Sequence, residues 1–217
     1  MYRFLLLIFS GFIFFGGQAQ HHHDDGMYCS KARFIEEYLK NSKTIEQTPL
    51  LHDYDVKHYF LDIEVDNSSV AISGEVTFYA EVVAEELDTF AFELLDEMNI
   101  TEVYINDNLQ SVFRDNNECF VELSDPLAEG DMFSAKIAYG GTPPTGGFFS
   151  GITSTYDSWG KYVTWTLSEP FAARDWWPTK QVLEDKADSV WVFLTTDEAN
   201  MAGSNGLLTN VTPMPDN

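Results

Sequence analysis

Side chains that suit a protein core alternate with side chains that suit water in the stretch that begins at Tyr54. From Tyr59 onward the alternate positions up to Val65 are apolar, whereas Asp62 and Glu64 lie between them. A repeat of two residues is typical of a β-strand that packs one face on a core and exposes the other. We therefore predict a strand here that ends at a turn over residues 66–69.

Short segments of the same kind follow along the chain. Turn-forming residues separate several of them, as at Asn106-Asp107-Asn108 and Glu129-Gly130-Asp131. Short strands at such intervals favour a sandwich or saddle of packed sheets. We predict an all-β fold of mostly antiparallel sheets, with further strands at residues 70–84 (interrupted near Gly74), 89–95, 100–105, 111–114, 119–123, 132–139, 162–166 and 188–196.

Two segments depart from the strand pattern. Residues 29–43 place apolar side chains near helical spacing, with Lys and Glu between them, which predicts a short N-terminal helix. Gly and Pro are dense at residues 140–147, as in a domain linker or a long surface hairpin. Because strand-like sequence resumes beyond this loop, we favour one domain over two.

Residues 1–20 have the order of a secretory signal peptide. Arg3 precedes an almost wholly apolar run at residues 4–15, and small and polar residues follow it. A membrane anchor is the alternative, but the run is shorter than the ~20 residues that span a bilayer. We predict export to the medium, the periplasm or the cell surface. The expected organisation is a signal peptide at 1–20, an extension with the short helix at 21–49, and a β-domain at 50–217.

Composition narrows the classes of function. Of the 217 residues, 44% are hydrophobic and 15% are aromatic, which suits a core of sheet-forming side chains. The chain has 12 basic and 35 acidic residues, and its net charge is −23. A nucleic-acid partner is strongly disfavoured, because phosphate binding requires a basic face. Solubility outside the cell explains the acidity better than specific cation binding does.

The histidines do not form a pattern of metal ligands. The run His21-His22-His23 could hold a metal transiently or be an artificial remnant, but a disordered mature N-terminus explains it better. His52 and His58 have no second histidine or cysteine at ligand spacing. We predict no metal site on any of them.

Carboxylates and cysteines likewise give no defined site. Asp62, Glu64 and Asp66 share one strand face, which could suggest a cation site, but a solvated sheet face is the more economical interpretation. Cys29 and Cys119 could pair in an oxidising compartment, and their spacing matches no metal motif. The sequence also contains no Gly-x-Ser-x-Gly elbow, no phosphate-binding loop and no His-Glu-x-x-His zinc motif. We therefore predict no catalytic residue in this chain.

Several short segments follow one another in a recognisable order. They are residues 54–65, 72–78, 138–141, 147–149, Thr166, Glu169-Pro170, Ala173-Arg174, Trp177-Pro178 and Lys186-Ala187. Together they resemble the N-terminal β-domain of the M1 family of zinc aminopeptidases, in its bacterial secreted form. Two positions depart from that pattern: Leu167 stands where the family often has Gln, and residues 181–183 differ from its acidic-Pro segment.

The resemblance implies a noncatalytic domain that packs on a zinc-containing catalytic domain. That domain would carry the His-Glu-x-x-His motif, and this chain ends at Asn217 before any such motif, so we expect a fragment or truncated reading frame that is inactive alone. In the family, the glutamate of the Thr166-to-Pro170 segment helps to hold the free α-amino group of a peptide. By position that residue is Glu169. A purely structural role for Glu169, as a hydrogen-bond acceptor in a loop, remains an alternative.

The neighbours of Glu169 are expected to be structural. We predict that Arg174 pairs with a carboxylate and that Trp176 and Trp177 pack the β-domain against the part of the protein C-terminal to it. A second hypothesis is a standalone secreted β-sandwich that binds peptide termini, glycans or a surface partner, since exposed tryptophans commonly form such platforms. The tryptophans that motivate it are Trp159, Trp165, Trp176 and Trp177. Nothing positive supports a third possibility, an enzyme that uses surface carboxylates.

Overall fold

The computed structural model describes residues 47–144, 151–168 and 171–214. Residues Gln47–Asn217 belong to one compact unit. The predicted signal peptide, the histidine run, the N-terminal helix and Cys29 lie outside the described residues. Within the described ranges, no helix is long and apolar enough to cross a membrane.

The described residues of this unit form eleven strands and two short 3-10 helices, which confirms the predicted all-β fold of mostly antiparallel sheets. The 3-10 helices are Pro49–His52 and Ala173–Asp175. The strands are β1 (Tyr54–Val65), β2 (Ile72–Val82), β3 (Glu86–Glu93), β4 (Asn99–Ile105), β5 (Asn108–Gln110), β6 (Phe113–Asp115), β7 (Glu118–Ala128), β8 (Met132–Gly141), β9 (Gly151–Tyr156), β10 (Tyr162–Leu167) and β11 (Ser189–Thr195).

Three sheets contain these strands. The largest has the order β11-β1-β2-β8-β4-β5, a second has the order β3-β7-β6, and β9 and β10 form a two-stranded hairpin. All the pairings are antiparallel except that of β1 with β11. A parallel neighbour requires a crossover connection, and here residues 168–188, between β10 and β11, form part of it.

The core lies between the six-stranded sheet and the three-stranded sheet. Phe78 of β2 packs edge-on against Phe90 of β3, with ring centroids 5.5 Å apart. On β1 the predicted alternation is confirmed: Tyr59, Leu61 and Ile63 face this core and are buried. Burial of a large apolar side chain contributes about 1.5–3 kcal/mol, so this face supplies much of the driving force for folding.

Strand β3 is buried on both of its faces. Phe90 and Phe92 belong to the main core, whereas Ala91 belongs to a second cluster with Leu51 and Val182. The Tyr54 hydroxyl donates a hydrogen bond to the Ala91 carbonyl oxygen at 2.7 Å, which ties β1 to β3. The β3 strand is therefore enclosed between the large sheet and the segment that contains Val182.

Gly74 does not interrupt its strand, contrary to the prediction. Strand β2 continues through it, and Gly74 pairs with Ile63 of β1. A Cβ atom at this position would lie 2.1 Å from the Asp62 carbonyl oxygen. Gly is therefore required here because two strands approach closely, which is a frequent role of glycine inside sheets.

The sequence did not predict two short strands, β5 and β9, and it predicted several other strands with different bounds. Strand β9 was not predicted, because its residues Thr153, Ser154 and Thr155 lack an alternating apolar pattern. Strand β5 is only three residues long, and β7 runs to Ala128, beyond the predicted end at residue 123. Pairing with neighbouring strands, rather than the pattern within each segment, defines these elements.

Candidate functional site

The segment around residues 168–178 carries the strongest part of the family resemblance. Glu169 and Pro170 lie outside the described residues, so the structure does not test the predicted role of Glu169. The described residues on either side are joined by two hydrogen bonds. The Ala172 amide donates to the Ser168 carbonyl oxygen at 3.0 Å, and the Trp176 indole donates to the Ser168 hydroxyl at 2.9 Å.

The β9–β10 hairpin that leads into this segment is attached to the turn between β1 and β2. The Ser154 hydroxyl donates to the Asn67 carbonyl oxygen at 3.1 Å. The Thr164 hydroxyl lies within hydrogen-bonding distance of two carbonyl oxygens, those of Asp66 at 3.0 Å and Ser69 at 3.2 Å. Side-chain hydroxyls thus fix the hairpin where its own short sheet offers little apolar burial.

Gly151 places the start of β9 directly against the 3-10 helix Ala173–Asp175. Its φ is +64°, in the left-handed region that favours glycine. A Cβ atom added to Gly151 would lie 2.7 Å from the Asp175 Cβ and 3.1 Å from the Ala172 carbonyl oxygen. The close contact of Gly151 with the 3-10 helix is therefore possible only because glycine has no side chain. It joins the hairpin to the segment that follows it.

A buried ion pair holds this segment on β3. The Arg174 guanidinium donates to the Glu93 carboxylate at 2.8 Å, and only 13% and 1% of these side chains are exposed. The other carboxylate oxygen accepts from the Gln47 side chain at 2.8 Å and from the Gln181 amide at 3.2 Å. Breaking such a pair costs about 3–5 kcal/mol, because one charge is left buried and uncompensated.

Backbone hydrogen bonds join the same elements. Glu93 and Thr179 exchange two of them, at 2.8 and 2.9 Å, so Thr179 acts as an isolated bridge on β3. The Leu95 amide donates to the Arg174 carbonyl oxygen at 2.8 Å, and the Arg174 amide donates to the Gln181 side-chain oxygen at 3.1 Å. We call residues 171–185 the locked segment, because polar contacts hold it on β3 and, through Lys180, on β1.

Lys180 anchors the locked segment to β1. Its ammonium donates to the Asp185 carboxylate and to the Tyr54 carbonyl oxygen, and it lies 4.5 Å from the centroid of the Tyr54 ring. Burial lowers the pKa of Lys180, and the hydrogen bond to Asp185 opposes that shift. The Lys180 amide also donates to the Tyr59 hydroxyl at 3.2 Å. This lysine serves as a structural anchor because carbonyl, carboxylate and ring all surround its ammonium.

The tryptophans do not form one exposed platform. Trp177 packs edge-on against Tyr59 at 5.0 Å, and both Trp176 and Trp177 lie half-buried against the domain's own core. Trp165 is also half-buried, whereas Trp159, at the tip of the hairpin, is 84% exposed. The structure therefore places Trp176 and Trp177 against the domain's own core, and their predicted contact with a part of the protein C-terminal to the domain stays a prediction.

The carboxyl group of Asp175 has a higher pKa than an exposed carboxyl group has. Burial raises the pKa of Asp175 to about 6, although the neighbouring Arg174 favours its charged form and lowers the value. This carboxyl group therefore changes its protonation state close to neutral pH, two residues before Trp177.

The other candidate residues are dispersed. Asp62 and Glu64 are exposed on the outer face of β1, and His58 is hydrogen-bonded there to the Ser189 hydroxyl at 2.8 Å. Cys119 is buried beside Arg114, and burial raises the pKa of its thiol. Among the described residues, no group of three His, Cys, Asp or Glu side chains could hold a metal ion.

Glu93 is the site residue that sequence reasoning missed. The sequence indicated that Arg174 pairs with a carboxylate, and the structure confirms this, but it did not identify which of the 35 acidic residues is the partner. Glu93 lies 81 residues before Arg174, at the end of a strand with three consecutive apolar residues. An acid directly after three apolar residues was the available signal, because buried acids require a partner.

Comparison with known proteins gave matches among solved structures alone. No protein-family model matches the chain, and no curated protein matches it. An M1 zinc metallopeptidase from Deinococcus radiodurans is 25% identical, with a TM-score of 0.63 over 75% of this chain and 37% of that chain. A mutant of that enzyme, bound to a Tyr-Ser-Ala substrate, is 24% identical with the same TM-score.

A more distant structure supports the same fold. The LTA4 hydrolase of yeast in complex with bestatin is 18% identical, with a TM-score of 0.55 over 74% of this chain and 26% of that chain. The chain thus spans about 37% of the length of the bacterial enzymes that it matches. The resemblance seen in the sequence is confirmed at the level of fold: the chain is a structural relative of the M1 zinc metallopeptidases, and its structure is consistent with the N-terminal β-domain of that family.

Proposed function

We propose that this chain is the noncatalytic N-terminal β-domain of a secreted zinc aminopeptidase of the M1 type. It packs on a catalytic domain and contributes to binding the free N-terminus of a peptide. The observation that carries this proposal is the match in fold to M1 zinc metallopeptidases over 75% of the chain. Export of the protein, through a signal peptide at residues 1–20, is part of the same proposal.

Glu169 is the residue that we assign to the peptide's α-amino group. A carboxylate in a partly dry cleft binds an ammonium group through charge-assisted hydrogen bonds. It also selects for free N-termini, because an acylated nitrogen cannot form the same ion pair and leaves the carboxylate unsatisfied. The hydrogen bonds of Ser168 to Ala172 and Trp176 support this assignment, since they fix the residues next to Glu169.

Zinc belongs to the complete enzyme in this proposal. The ion would polarise the substrate carbonyl and activate water in the catalytic domain. In this proposal the β-domain supplies structure and the peptide contact of Glu169, and the catalytic domain supplies the zinc ligands. Neighbouring structures are consistent with this division, because they are zinc metallopeptidases of which the chain spans 37%.

The proposal is tested by an activity measurement on the pure 217-residue protein. With an aminoacyl amide as substrate and added zinc, we expect no hydrolysis above that of zinc alone. The control is a protein preparation that retains its folded structure by circular dichroism. Zinc-dependent turnover by the folded chain would contradict a noncatalytic role.

A second candidate function is a standalone secreted β-sandwich that binds a peptide, glycan or surface partner. The exposed Trp159 ring at the hairpin tip favours it, together with the ring pair Tyr156 and Tyr162, whose centroids are 4.4 Å apart. This candidate predicts a monodisperse protein with a saturable ligand that Trp159→Ala weakens. Aggregation of the isolated chain that is relieved by adding a catalytic domain would count against it.

A further inference from the structure

Two tyrosines lie opposite each other across the β9–β10 hairpin. Tyr156, the last residue of β9, pairs directly with Tyr162, the first residue of β10. Their ring centroids are 4.4 Å apart, and the Tyr156 hydroxyl donates to the Tyr162 hydroxyl at 2.6 Å. Among the described residues, this is the one ring contact between two tyrosines. Directly opposite side chains of an antiparallel pair lie close together, so the register of the hairpin explains the contact.

Hydrogen bonds hold this register from both ends of the hairpin. At the tip, the Asp157 carboxylate accepts from the Trp159 and Lys161 amides, both at 2.8 Å, and the Asp157 amide donates to the Lys161 carbonyl oxygen at 2.8 Å. Aspartate commonly fixes a turn in this way. At the base, the Ser154 and Thr164 hydroxyls attach the hairpin to the turn between β1 and β2. The two tyrosine rings are therefore held side by side by the hairpin itself.

The tyrosine pair combines access to solvent with a fixed neighbour of the same kind. In this chain the Tyr156 and Tyr162 side chains are 59% and 46% exposed, so a small oxidant in solution reaches both rings. Tyr79 has a similar exposure of 44%, but its described ring neighbour is the imidazole of His58. Exposure alone therefore does not distinguish the hairpin pair, whereas the contact between two phenols does.

Paired phenols undergo a defined oxidation. An oxidant removes one electron and the phenolic proton from each ring, which leaves two phenoxyl radicals. The radicals join through a new carbon–carbon bond between the ring positions next to the hydroxyls. The hydrogen on each joined carbon then moves to the phenolic oxygen, which restores both aromatic rings. With hydrogen peroxide as the oxidant, two phenols and one peroxide give one linked biphenol and two waters.

The geometry of the pair favours this reaction within one chain. The ring positions that join are next to the carbon that carries the hydroxyl, and the hydrogen bond holds the two hydroxyls together. The reacting edges of Tyr156 and Tyr162 therefore lie side by side before oxidation begins. Groups that are held in contact react at a far higher effective concentration than groups that must meet by diffusion.

We propose that Tyr156 and Tyr162 form a modification site, at which peroxide-dependent one-electron oxidation joins the two rings as dityrosine. The link closes the tip of the β9–β10 hairpin covalently and prevents the two strands from separating there. The reaction uses the two rings and a small oxidant and needs no contact with another protein. This inference goes beyond the proposed peptidase role and does not depend on it.

The test is oxidation of the 217-residue protein by hydrogen peroxide and a haem peroxidase. We expect a monomeric product that has the blue fluorescence of dityrosine and a mass lower by two hydrogen atoms. Trypsin cleaves after Lys161, between the two tyrosines, so mass spectrometry should find the peptides that carry Tyr156 and Tyr162 still joined after digestion. The yield per chain should not change on dilution of about tenfold, because the coupling is intramolecular.

Matched variants locate the reaction on the protein. Tyr162→Phe keeps the ring but removes one phenol of the pair, and we expect it to lower the dityrosine yield about tenfold or more. Tyr79→Phe removes a phenol of similar exposure that has no described tyrosine neighbour, and the yield should stay within about twofold. All three tyrosines are exposed, so circular dichroism should report intact folds.

Three results would overturn the proposal. The first is the absence of dityrosine under conditions in which the same peroxidase couples N-acetyltyrosine amide, since the pair would then not react. The second is an equal yield from Tyr162→Phe and the unaltered chain, because other tyrosines would then be the source. The third is dityrosine found mainly between chains, with a yield that falls on dilution, because chance encounters would then explain the coupling.

Discussion

The locked segment and strand β11 are close in sequence but differ in how they are covered. Val182, in the locked segment, is 7% exposed, whereas Val192, ten positions later in β11, is 42% exposed. The locked segment is held by the Glu93–Arg174 and Lys180–Asp185 ion pairs, while β11 is held by its pairing with β1. Apolar content alone therefore does not decide which residues of this chain are buried. Ion pairs hold the locked segment against the core, whereas β11 has no such contacts described and stays exposed.

Removing the Glu93 carboxylate should have the largest effect on the stability of the locked segment. We expect Glu93→Ala to lower the free energy of unfolding by about 3–5 kcal/mol, because Arg174 would stay buried without its partner. Chemical denaturation measures this change. Glu75→Ala is the matched control: Glu75 pairs with Lys136 at 3.5 Å on the surface, and its loss should cost about 0–1 kcal/mol. Equal losses in the two variants would show that the buried pair does not lock the segment.

The contact between the hairpin and the locked segment is tested at Gly151. We expect Gly151→Ala to lower the free energy of unfolding by about 2–3 kcal/mol, through a strained φ and a clash with Asp175. Gly160→Ala separates the two causes. Gly160 has a similar φ of +76°, but an added Cβ would meet no atom within 4 Å. A smaller loss, of about 1–2 kcal/mol, is expected there. Identical losses would mean that the contact with Asp175 contributes nothing.

Asp175 gives the locked segment a dependence on pH. Its pKa in the folded state is about 6, above the ordinary value of 3.8, so the folded protein binds the proton more tightly than the unfolded chain does. The contribution of Asp175 to stability therefore falls as the pH rises between these two values. We expect Asp175→Asn to be about 1–2 kcal/mol more stable than the unaltered chain at pH 7.5.

Denaturation curves at two pH values check this expectation. The advantage of Asp175→Asn should largely disappear near pH 3, where the carboxyl group is mostly protonated in both states. The control Asp188→Asn, at an exposed residue, should show little difference between the two pH values. An advantage that persists at low pH would indicate better packing of the amide rather than titration of Asp175.

The smallest effect is expected in β11. Leu194→Ala should lower the free energy of unfolding by about 1 kcal/mol, since 39% of the side chain is already exposed to water. Leu61→Ala, in the neighbouring strand, removes a core side chain and should cost about 2–5 kcal/mol. Comparable losses from the two variants would show that Leu194 is covered in solution.

The sequence predicted several strands well where one face of the strand is buried and the other is exposed to water. The period of two in β1 is confirmed by the burial of Leu61 and Ile63. Strand β9 was not predictable, since its polar residues are held by the pairing with β10 and by hydroxyl contacts such as that of Ser154 with Asn67. Long-range pairing leaves no local pattern in the sequence.

The site was predictable only in part, and for a similar reason. The motif residues near Arg174 indicated an ion pair, but Glu93 is distant in sequence and its partner is selected by the topology of the three sheets. The exposure of β11 could not be predicted either. Its five consecutive apolar residues are typical of a strand that is buried on both faces, yet all five are exposed among the described residues.

The proposed recognition of peptide N-termini by Glu169 is tested most directly by equilibrium binding to the 217-residue chain. The measurement compares a tripeptide that has a free α-amino group with its N-acetylated form, using NMR to detect weak complexes. We predict that only the free form binds saturably, that Glu169→Gln weakens it about tenfold, and that the control Glu184→Gln, at an exposed residue, does not. Equal binding of the free and acetylated peptides, or unchanged affinity in Glu169→Gln, would contradict the proposed role.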